Sequence, residues 1–400
     1  MEKQSNDAKK PKKQHSAPAR NWVGDNGKII EPLFADYFLS LHPMRCFQGR
    51  LFTVDGMIED EASLKKKIYE QIRYYATTSV ARRIEHIMQA IKLACASEPP
   101  EIQTDRIHVR NGTYFVDGHF TPEKEYCMNR LPIAYVPEAP APTRWLQFLN
   151  ELLYEEDIPA LQEYIGYCLL PVTKAQKMLL MVGKGGEGKS RIGLILRELF
   201  GNSMYTGSLQ KVETNRFARA DLEYKLLLVD DDMKTEALPQ TNNIKTLVTL
   251  EDKIDIERKG QQSVQGTLYV RFACFGNGSL HALYDKSNGF YRRQLLLTTK
   301  EKPVGRVDDP FLIDKMRGEK EGILLWALEG LHRLIRNNYQ FTISERTAAN
   351  LKEAMEQGNN ILGFLKSEGY FEIRQGAKCK STDFYKVYER WCLDNLEKPL

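Results

Sequence analysis

The feature that most constrains the fold of this chain is a glycine-rich segment, GKGGEGKS, at residues 183–190. It fits the pattern G-x-x-x-x-G-K-[ST], follows an apolar run at 177–182 and opens a helical pattern at 191–200. Glycines let backbone N–H groups curl around a phosphate, and the helix N-terminus adds its dipole. The segment therefore predicts a strand, a phosphate-binding loop and a helix, as in an α/β fold.

We call residues 183–190 the phosphate loop. Lys189 is expected to reach the β- and γ-phosphates of a nucleotide, and Ser190 is expected to hold Mg²⁺. The other loop positions are expected to line the phosphates, chiefly with backbone N–H groups. These positions are Gly183, Lys184, Gly185, Gly186, Glu187 and Gly188.

A second signal is an apolar run at 226–229 that ends in three aspartates, about 40 residues after the phosphate loop. One carboxylate in such a position orients Mg²⁺ and the next can polarise the attacking water. We assign Asp230 to the metal and Asp231 to the water, with Asp232 as a spare acid.

Two further signals follow later strands. The apolar run at 272–275 leads to Asn277, whose amide could bind the γ-phosphate or the attacking water, or could simply form a turn. Arg292 and Arg293 precede the apolar run at 294–299. A guanidinium there could neutralise charge on the transferred phosphoryl group, although the pattern taken alone is better explained by two surface arginines at the start of a strand.

The fifth signal is a predicted hairpin at residues 252–271. Ile254 and Ile256 alternate with polar residues, as in a strand, and Arg258, Lys259 and Gly260 then form a turn. A basic tip of this kind could contact a DNA backbone, and a solvated hairpin is the alternative.

The order of these five elements resembles that of superfamily III helicases, which are AAA+ ATPases. More closely, residues 110–395 resemble the phage and plasmid primase-helicase family, including the poxvirus-type primase-helicases. The residues that carry this resemblance are Asn111-Gly112, Trp145, Phe148-Leu149, Gln162, Gly166-Tyr167, the phosphate loop, Lys245, Leu250-Glu251-Asp252, Gly276-Asn277-Gly278, Phe290-Tyr291-Arg292-Arg293, Tyr385, Tyr388 and Trp391.

The resemblance implies a replicative DNA helicase of a phage, plasmid or mobile genetic element. It implies a homo-oligomer, a hexameric ring, that hydrolyses ATP with Mg²⁺ between subunits and moves along single-stranded DNA at a fork. Asn277 would be a sensor and Arg292 the arginine finger of the neighbouring subunit, with Arg293 as the fallback. Lys259 would contact DNA in the pore. The chain departs from the family in having Leu250-Glu251-Asp252 where Gly-Gly-Asp is frequent, and aspartate where the second acid is often glutamate.

Two other functions fit the motifs. One is an ATP-dependent initiator or loader that binds an origin without processive unwinding. The other is a different enzyme with a phosphate loop, such as a nucleotide kinase, which would be a monomer. No C-x-x-C pair occurs among the seven cysteines, so a zinc ribbon and a fused primase are not expected. A primase or an initiator protein is instead a possible partner.

The basic excess lies almost wholly in one short segment. Residues 1–20 hold six basic and two acidic residues, which accounts for the net charge of +4 of the whole chain. The remainder is therefore neutral, and any DNA-binding surface on it must be a local patch. No apolar run reaches the roughly 18 residues of a membrane helix, and no signal peptide is evident, so we expect a cytoplasmic protein without a membrane partner.

These patterns predict five regions. A disordered basic tail covers residues 1–27, and an α+β N-terminal domain covers 28–142, with an adaptor, oligomerisation or DNA-binding role. A helical collar at 143–170 leads to a three-layer ATPase domain at 171–340. Residues 341–400 form a small helical or winged-helix-like module.

Overall fold

The computed structural model describes residues 21–76, 78–233, 238, 240–278, 288–358, 360–395 and 399, and of residues 357, 358 and 360 it describes only the backbone. Most of the predicted basic tail lies outside these residues. The chain divides into two compact units, residues 1–100 and residues 101–400. Each unit is described by itself below.

The first unit is a small α+β structure, as the sequence predicts for this part of the chain. Its elements are α1 (Glu31–Leu41), β1 (Arg45–Phe47), β2 (Arg50–Thr53), β3 (Gly56–Met57), α2 (Ala62–Ile72) and α3 (Val80–Ala94). The three strands form one antiparallel sheet in the order β1-β2-β3. Gln48 and Gly49, both with positive φ, form the tight turn between β1 and β2.

Helix α2 packs on the core of the first unit through one of its faces. Its buried residues Leu64, Ile68 and Ile72 recur every four positions, which places them on a single stripe of the helix. The stripe joins a core that contains Trp22 and Phe34. The opposite face of α2 consequently faces solvent.

The second unit begins with β4 (Arg106–Val109), β5 (Gly112–Phe115), β6 (Phe120–Thr121), α4 (Thr143–Leu152) and α5 (Ile158–Tyr167). Ile107, Leu131 and Ile133 are buried in the same core as Trp145. Residues 101–142 thus belong to the second unit, and the units divide at residue 100 rather than at 142. Within the proline-rich segment 132–142, Ile133 and Ala134 are buried, whereas Val136 is exposed.

The remaining elements of the second unit build a parallel sheet and its covering helices. They are β7 (Met178–Val182), α6 (Lys189–Phe200), β8 (Met204–Thr206), α7 (Leu209–Thr214), β9 (Leu227–Met233), α8 (Asn242–Val248), β10 (Ile254–Ile256), β11 (Val264–Gly266), β12 (Arg271–Gly276), α9 (Asn288–Tyr291), β13 (Gln294–Thr298), α10 (Leu312–Arg317), α11 (Lys320–Arg336), α12 (Glu345–Gly358), α13 (Asn360–Lys366) and α14 (Ser381–Asp394). Five strands pair in parallel in the order β13-β7-β12-β9-β8.

Helices cover both faces of this sheet, so its strands are apolar on both sides. One core joins alternate residues of β7, such as Leu179, to apolar residues of α5, α6, α10 and α11. The other core joins the intervening residues, such as Leu180, to residues of α7, α8 and α12. The arrangement confirms the predicted α/β class with a parallel sheet.

Two glycines let α5 and α11 pack closely. A Cβ added at Gly166 would lie 2.3 Å from the Ala327 carbonyl oxygen, and one at Gly330 would lie 2.4 Å from that of Gln162. Beside this crossing, the buried carboxylate of Glu163 accepts a hydrogen bond from Arg333 at 2.6 Å. The predicted collar helix α5 is therefore fixed directly against the layer that covers the sheet.

The C-terminal region only partly matches its predicted form. Helix α12 packs on β13, with Asn350 donating to the Thr298 hydroxyl at 3.1 Å and Ala354 buried in the sheet core. Helices α13 and α14 enclose a smaller cluster of Phe364, Tyr388 and Trp391. Residues 370–374 form neither helix nor strand. In the described part of residues 341–400, the structure is helical.

Among the described residues, no helix is both long enough and apolar enough to cross a membrane.

Candidate nucleotide site

A cleft opens where the carboxyl ends of β7, β9 and β12 meet. Parallel strands place the segments that follow them at the same edge of a sheet, so three distant sequence motifs converge there. The residues that line the cleft are Gly185, Gly186, Glu187, Gly188, Lys189, Ser190, Arg191, Asp231, Asp232, Phe275, Gly276, Asn277, Arg306, Asp308, Asp309 and Leu312.

The phosphate loop needs its glycines for backbone conformation. Gly185, Gly186 and Gly188 have φ values of 109°, 80° and 114°, a region that residues with a Cβ rarely adopt. Gly183 is required for space instead, since a Cβ there would lie 2.3 Å from the Thr299 hydroxyl. The loop then passes directly into α6, which begins at Lys189.

Glu187 occupies the centre of the loop and is 3% exposed. Its Oε1 accepts from the N–H groups of Lys184 at 2.5 Å and Gly185 at 2.7 Å. Its Oε2 accepts from Lys189 Nζ at 2.8 Å. Burial alone would raise the pKa of Glu187, but Lys189 and the backbone donors together hold it below the usual range. The loop therefore contains an internal carboxylate bound by N–H groups and by the lysine.

Lys189 and Asn277 meet in the cleft, as the sequence predicts. Lys189 Nζ lies 3.3 Å from Asn277 Oδ1, in addition to its contact with Glu187. The lysine is 7% exposed, so its ammonium group is held by these two side chains instead of by water. Asn277 reaches this position because β12 lies between β7 and β9 in the sheet.

The structure separates the two aspartates to which catalytic roles are assigned. Asp231 lines the cleft and accepts a hydrogen bond from Ser190, the predicted Mg²⁺ ligand. Asp230 does not line the cleft, and its Oδ2 accepts from the N–H of Leu209, at the start of α7, at 2.8 Å. The structure therefore places Asp231, and not Asp230, beside Ser190 in the cleft.

Strand alternation explains this displacement. Val229 packs in the core on the α6 face of the sheet, so Asp230 points to the opposite face and Asp231 returns to the α6 face. A Cβ built on Gly193 of α6 lies 3.7 Å from Asp231 Oδ1. The sequence placed the end of the strand at residue 229, whereas β9 continues to Met233 and keeps alternating through the acids.

The local charges perturb both aspartates. Burial raises the pKa of Asp231, the hydrogen bond from Ser190 opposes this rise, and the charge of Asp232 adds to it. Burial also raises the pKa of Asp230, against the N–H groups that bind its carboxylate. The raised pKa of Asp231 therefore reflects mainly its burial, with the charge of Asp232 as a further cause.

Sequence reasoning missed Arg306, which extends over the phosphate loop. Its Nη1 donates to the Glu187 carbonyl oxygen at 3.0 Å, and its Nε lies 3.2 Å from Asp308 Oδ1. The surrounding residues, 302–309, match no phosphate-binding motif. Only the chain path from β13 to α10 brings this arginine to the cleft, so no sequence signal could have identified it.

The two predicted finger arginines lie at the amino end of β13, whereas the cleft lies at the carboxyl ends of the strands. Arg292 is exposed and just precedes β13, whose first residue Gln294 pairs with Met178 and whose Thr298 pairs with Val182 beside the loop. From Gln294 to Thr298, β13 therefore extends over roughly 13 Å between the position of Arg292 and the phosphate loop. Arg293 is half-buried and donates to the Gly289 carbonyl oxygen. Neither residue lines the cleft of its own chain.

The predicted DNA hairpin forms, and its two basic residues differ. Strands β10 and β11 pair in antiparallel fashion as a separate two-stranded sheet. Arg258 is half-buried in an ion pair with the buried Glu223. Lys259 is exposed at the tip. The structure thus ties the first residue to the protein and leaves the second accessible.

A magnesium site can be assembled only in part from the protein. Among the described residues, no three His, Cys, Asp or Glu side chains cluster as a complete set of metal ligands. Mg²⁺ is commonly bound by one or two carboxylates together with substrate phosphates and water. The Ser190 hydroxyl and the Asp231 carboxylate, adjacent in the cleft, fit that incomplete set.

Two family models match parts of the chain. Residues 40–153 match the family described as D5 N terminal like, and residues 181–293 match a family of unknown function, DUF5906. The second match contains the phosphate loop, the three aspartates and both finger arginines. No curated protein matches the chain.

Solved structures of the C-terminal region of NrS-1 share the fold. An apo structure in its A form aligns over 90% of this chain and 86% of that chain, with a TM-score of 0.53 and 13% identity. Another apo structure aligns over 81% of this chain and 75% of that chain, with a TM-score of 0.53 and 15% identity. Together with the motifs, the D5 N terminal like match and this shared fold support a relationship to phage primase-helicase-type replication proteins.

Proposed function

We propose that this protein is an ATP-dependent replicative DNA helicase of a phage, plasmid or mobile genetic element, with a superfamily III, AAA+-type motor. The observation that carries the proposal is the convergence of Lys189, Ser190, Asp231 and Asn277 in one cleft at the carboxyl edge of the parallel sheet. These residues supply a phosphate-binding cation, a pair of metal ligands and a polar sensor. A phosphate loop alone would support many nucleotide-binding functions.

Each residue has a chemical role in this proposal. Lys189 moves from Glu187 to the β- and γ-phosphates of ATP, and the loop N–H groups bind the same oxygens. Ser190 and Asp231 hold Mg²⁺, which would neutralise phosphate charge. Asp232, the next acid in the cleft, takes the water-polarising role, and Asn277 orients that water or the γ-phosphate. The metal role thus passes from Asp230 to Asp231.

The position of Arg292 favours a ring of subunits. Arg292 is exposed at the amino end of β13, opposite the cleft, and cannot reach a nucleotide bound by its own chain. In a ring, however, that end of the strand can face the nucleotide cleft of a neighbour, where a guanidinium stabilises charge on the transferred phosphoryl group. We therefore propose a homo-oligomer, a hexamer, with ATP bound between subunits and Arg292 as the finger.

Lys259 is the proposed contact with single-stranded DNA in the pore of the ring. Its exposed position on a protruding hairpin suits a contact with the phosphate backbone, which is salt-sensitive and tolerant of sequence. Arg258 is assigned to holding the hairpin through Glu223 instead of to DNA. A primase or an initiator protein that recruits the ring to a fork is the proposed protein partner.

The experiment that tests this function is a measurement of ATP hydrolysis with and without single-stranded DNA. It compares the wild type, Arg292→Ala, and an equal mixture of the two proteins. Arg390→Ala is the matched control, because Arg390 is also an exposed arginine but lies on α14. We expect DNA to stimulate the wild type, and we expect Arg292→Ala to lower the activity of the mixture below the average of its components.

A mixture that behaves as the average of its components, together with hydrolysis that ignores DNA, would refute the shared-site ring. If the ring behaviour holds, displacement of a strand from a forked duplex distinguishes a helicase from an initiator or loader. A helicase displaces the strand with ATP, and an initiator that only binds DNA does not.

A further inference from the structure

The first unit carries a basic and aromatic surface on the solvent face of α2. It consists of Lys66, Lys67 and Tyr69 of α2 and of Arg73 and Tyr74 in the turn that directly follows the helix, and we call it the α2 surface. The buried stripe of α2 occupies the other side of the helix. Residues spaced three and four apart lie on one helical face, so Lys66, Tyr69 and Arg73 form one continuous strip.

Both tyrosines of this surface are unusually accessible. Tyr69 is 45% exposed and Tyr74 is 64% exposed, although each could bury a large apolar ring. The Arg73 guanidinium lies 4.6 Å from the centre of the Tyr74 ring. A guanidinium stacked on an aromatic ring provides a flat platform with hydrogen-bond donors still directed outward.

The cations of this surface differ from the nearby lysines of the same unit in their ion pairs. Lys65 pairs with Glu85 at 2.5 Å, and Lys92 pairs with Glu61 at 2.7 Å. In contrast, no ion pair involves Lys66, Lys67 or Arg73 within the described residues of the chain. The sequence of α2 contains one acid, Glu70, so the α2 surface retains a positive charge.

We propose that the α2 surface binds single-stranded nucleic acid in the first unit. Two exposed tyrosine rings lie beside cations that form no ion pair among the described residues, which is the combination that takes stacked bases and a phosphate backbone together. The region outside residues 1–20 is neutral overall, so the concentration of charge on one helix face is local. An acidic protein segment would use the cations but would have no need for two exposed rings.

Binding at this surface does not require the ATPase activity proposed above. The test therefore measures binding of a fluorescent oligo-dT strand to the full-length protein without nucleotide, at several salt concentrations. The variants are Lys66→Gln with Arg73→Gln, and separately Tyr69→Ala with Tyr74→Ala. The matched control is Lys28→Gln with Arg50→Gln, which removes the same charge from exposed positions of the same unit.

We expect the tyrosine variant to lose at least about 25-fold in affinity, because each stacked base contributes roughly fivefold or more. The charge variant should bind more weakly, with a salt dependence shallower by about 1.4 in the log–log slope, for two lost phosphate contacts at about 0.7 each. The control should bind like the wild type. Circular dichroism of each variant verifies that the first unit remains folded.

Wild-type affinity in both the charge and the tyrosine variants would overturn the proposal. So would an equal loss in the control, because the effect would then be one of net charge. A loss confined to the charge variant would also overturn it, since stacking would be absent and a general electrostatic surface would remain. These outcomes are independent of whether the protein hydrolyses ATP, since no nucleotide is present.

Discussion

The phosphate loop and the α2 surface both present basic side chains, yet they hold them in opposite ways. In the loop, Lys189 is buried and bound to Glu187 at 2.8 Å before any ligand arrives. On α2, Lys66 and Arg73 are exposed and make no ion pair in the described part of the chain. A ligand of the loop must exchange one anion for another, whereas a ligand of α2 only displaces water and counterions.

The difference bears on specificity. An anion that enters the loop competes with a carboxylate already bound by two N–H groups and a lysine, so only a group with several well-placed oxygens can replace it. A flexible surface of separate cations and rings accepts any strand with a backbone charge and exposed bases. The loop is thus suited to one chemical group and the α2 surface to a polymer without sequence preference.

The largest expected effect concerns the acids opposite the loop. Asp231→Asn should lower the rate of ATP hydrolysis by at least about 100-fold, because it removes a proposed Mg²⁺ ligand beside Ser190. Asp230→Asn is the matched control and should retain most of the activity, since its side-chain oxygen can still accept from Leu209. Steady-state hydrolysis at saturating Mg²⁺ measures both. The reverse ranking would restore the assignment of the metal to Asp230.

A second effect tests whether the loop depends on its surroundings. Arg306→Ala should weaken ATP binding about tenfold, because a charged hydrogen bond to the Glu187 carbonyl oxygen contributes roughly 1.5–3 kcal/mol. Titration with a fluorescent ATP analogue gives the dissociation constant. Arg317→Ala, at an exposed ion pair on α10, is the control and should bind normally. Unchanged binding in Arg306→Ala would mean that the loop holds its shape alone.

A smaller effect tests directly the role of the Glu187 carboxylate inside the phosphate loop. Glu187→Gln should bind ATP about fivefold more tightly, because the amide oxygen can still accept from the loop N–H groups while Lys189 loses its competing carboxylate. The same titration of the nucleotide measures this change. Weaker binding would contradict the exchange of anions and would indicate that the carboxylate prepares the loop for ATP.

The smallest expected effect distinguishes the two regions by pH. Burial raises the pKa of Asp231 above that of an ordinary aspartate, so this carboxylate is lost at a higher pH as the solution is acidified. The value of kcat/KM for ATP should therefore fall between pH 7 and pH 5. Asp231→Asn should remove this part of the profile.

DNA binding at the α2 surface should not weaken over the same range. The cations and rings of this surface are lysine, arginine and tyrosine, residue types whose ordinary pKa values lie above this pH range. His42 is close enough to Lys67 for that charge, in addition to burial, to lower the pKa of the imidazole. Any protonation at acidic pH would therefore add positive charge and strengthen binding. A parallel decline of hydrolysis and DNA binding toward pH 5 would show that the two regions are not separate.

Much of the architecture could be predicted because it depends on local patterns. The apolar runs predicted β7, β12 and β13, and helical spacing predicted α3 and α11, within a few residues of their ends. The predictions that failed concern contacts between segments that are distant in the sequence. The segment 132–142 has the composition of a linker, but the burial of Leu131 and Ile133 depends on helices that follow it.

The sequence by itself determined the chemistry of the phosphate loop. Glycines with positive φ, a lysine directly followed by a serine, and a helix start are all local, so eight residues specify the structure they form. It also determined that acids follow the apolar run at 226–229 and that an asparagine follows the apolar run at 272–275. These facts establish which groups are available to a nucleotide.

Only the tertiary structure decided which of these groups meet. Side chains alternate along β9 as far as Met233, so Asp231 lies in the cleft whereas Asp230 binds the first N–H group of α7. Because three aspartates stand in a row, the sequence alone does not show which of them faces the cleft. The chain path after β13 brought Arg306 onto the loop, and the strand register put Arg292 at the end opposite the cleft. The physical reason is that local sequence controls backbone conformation, whereas contacts between distant segments depend on how whole elements pack.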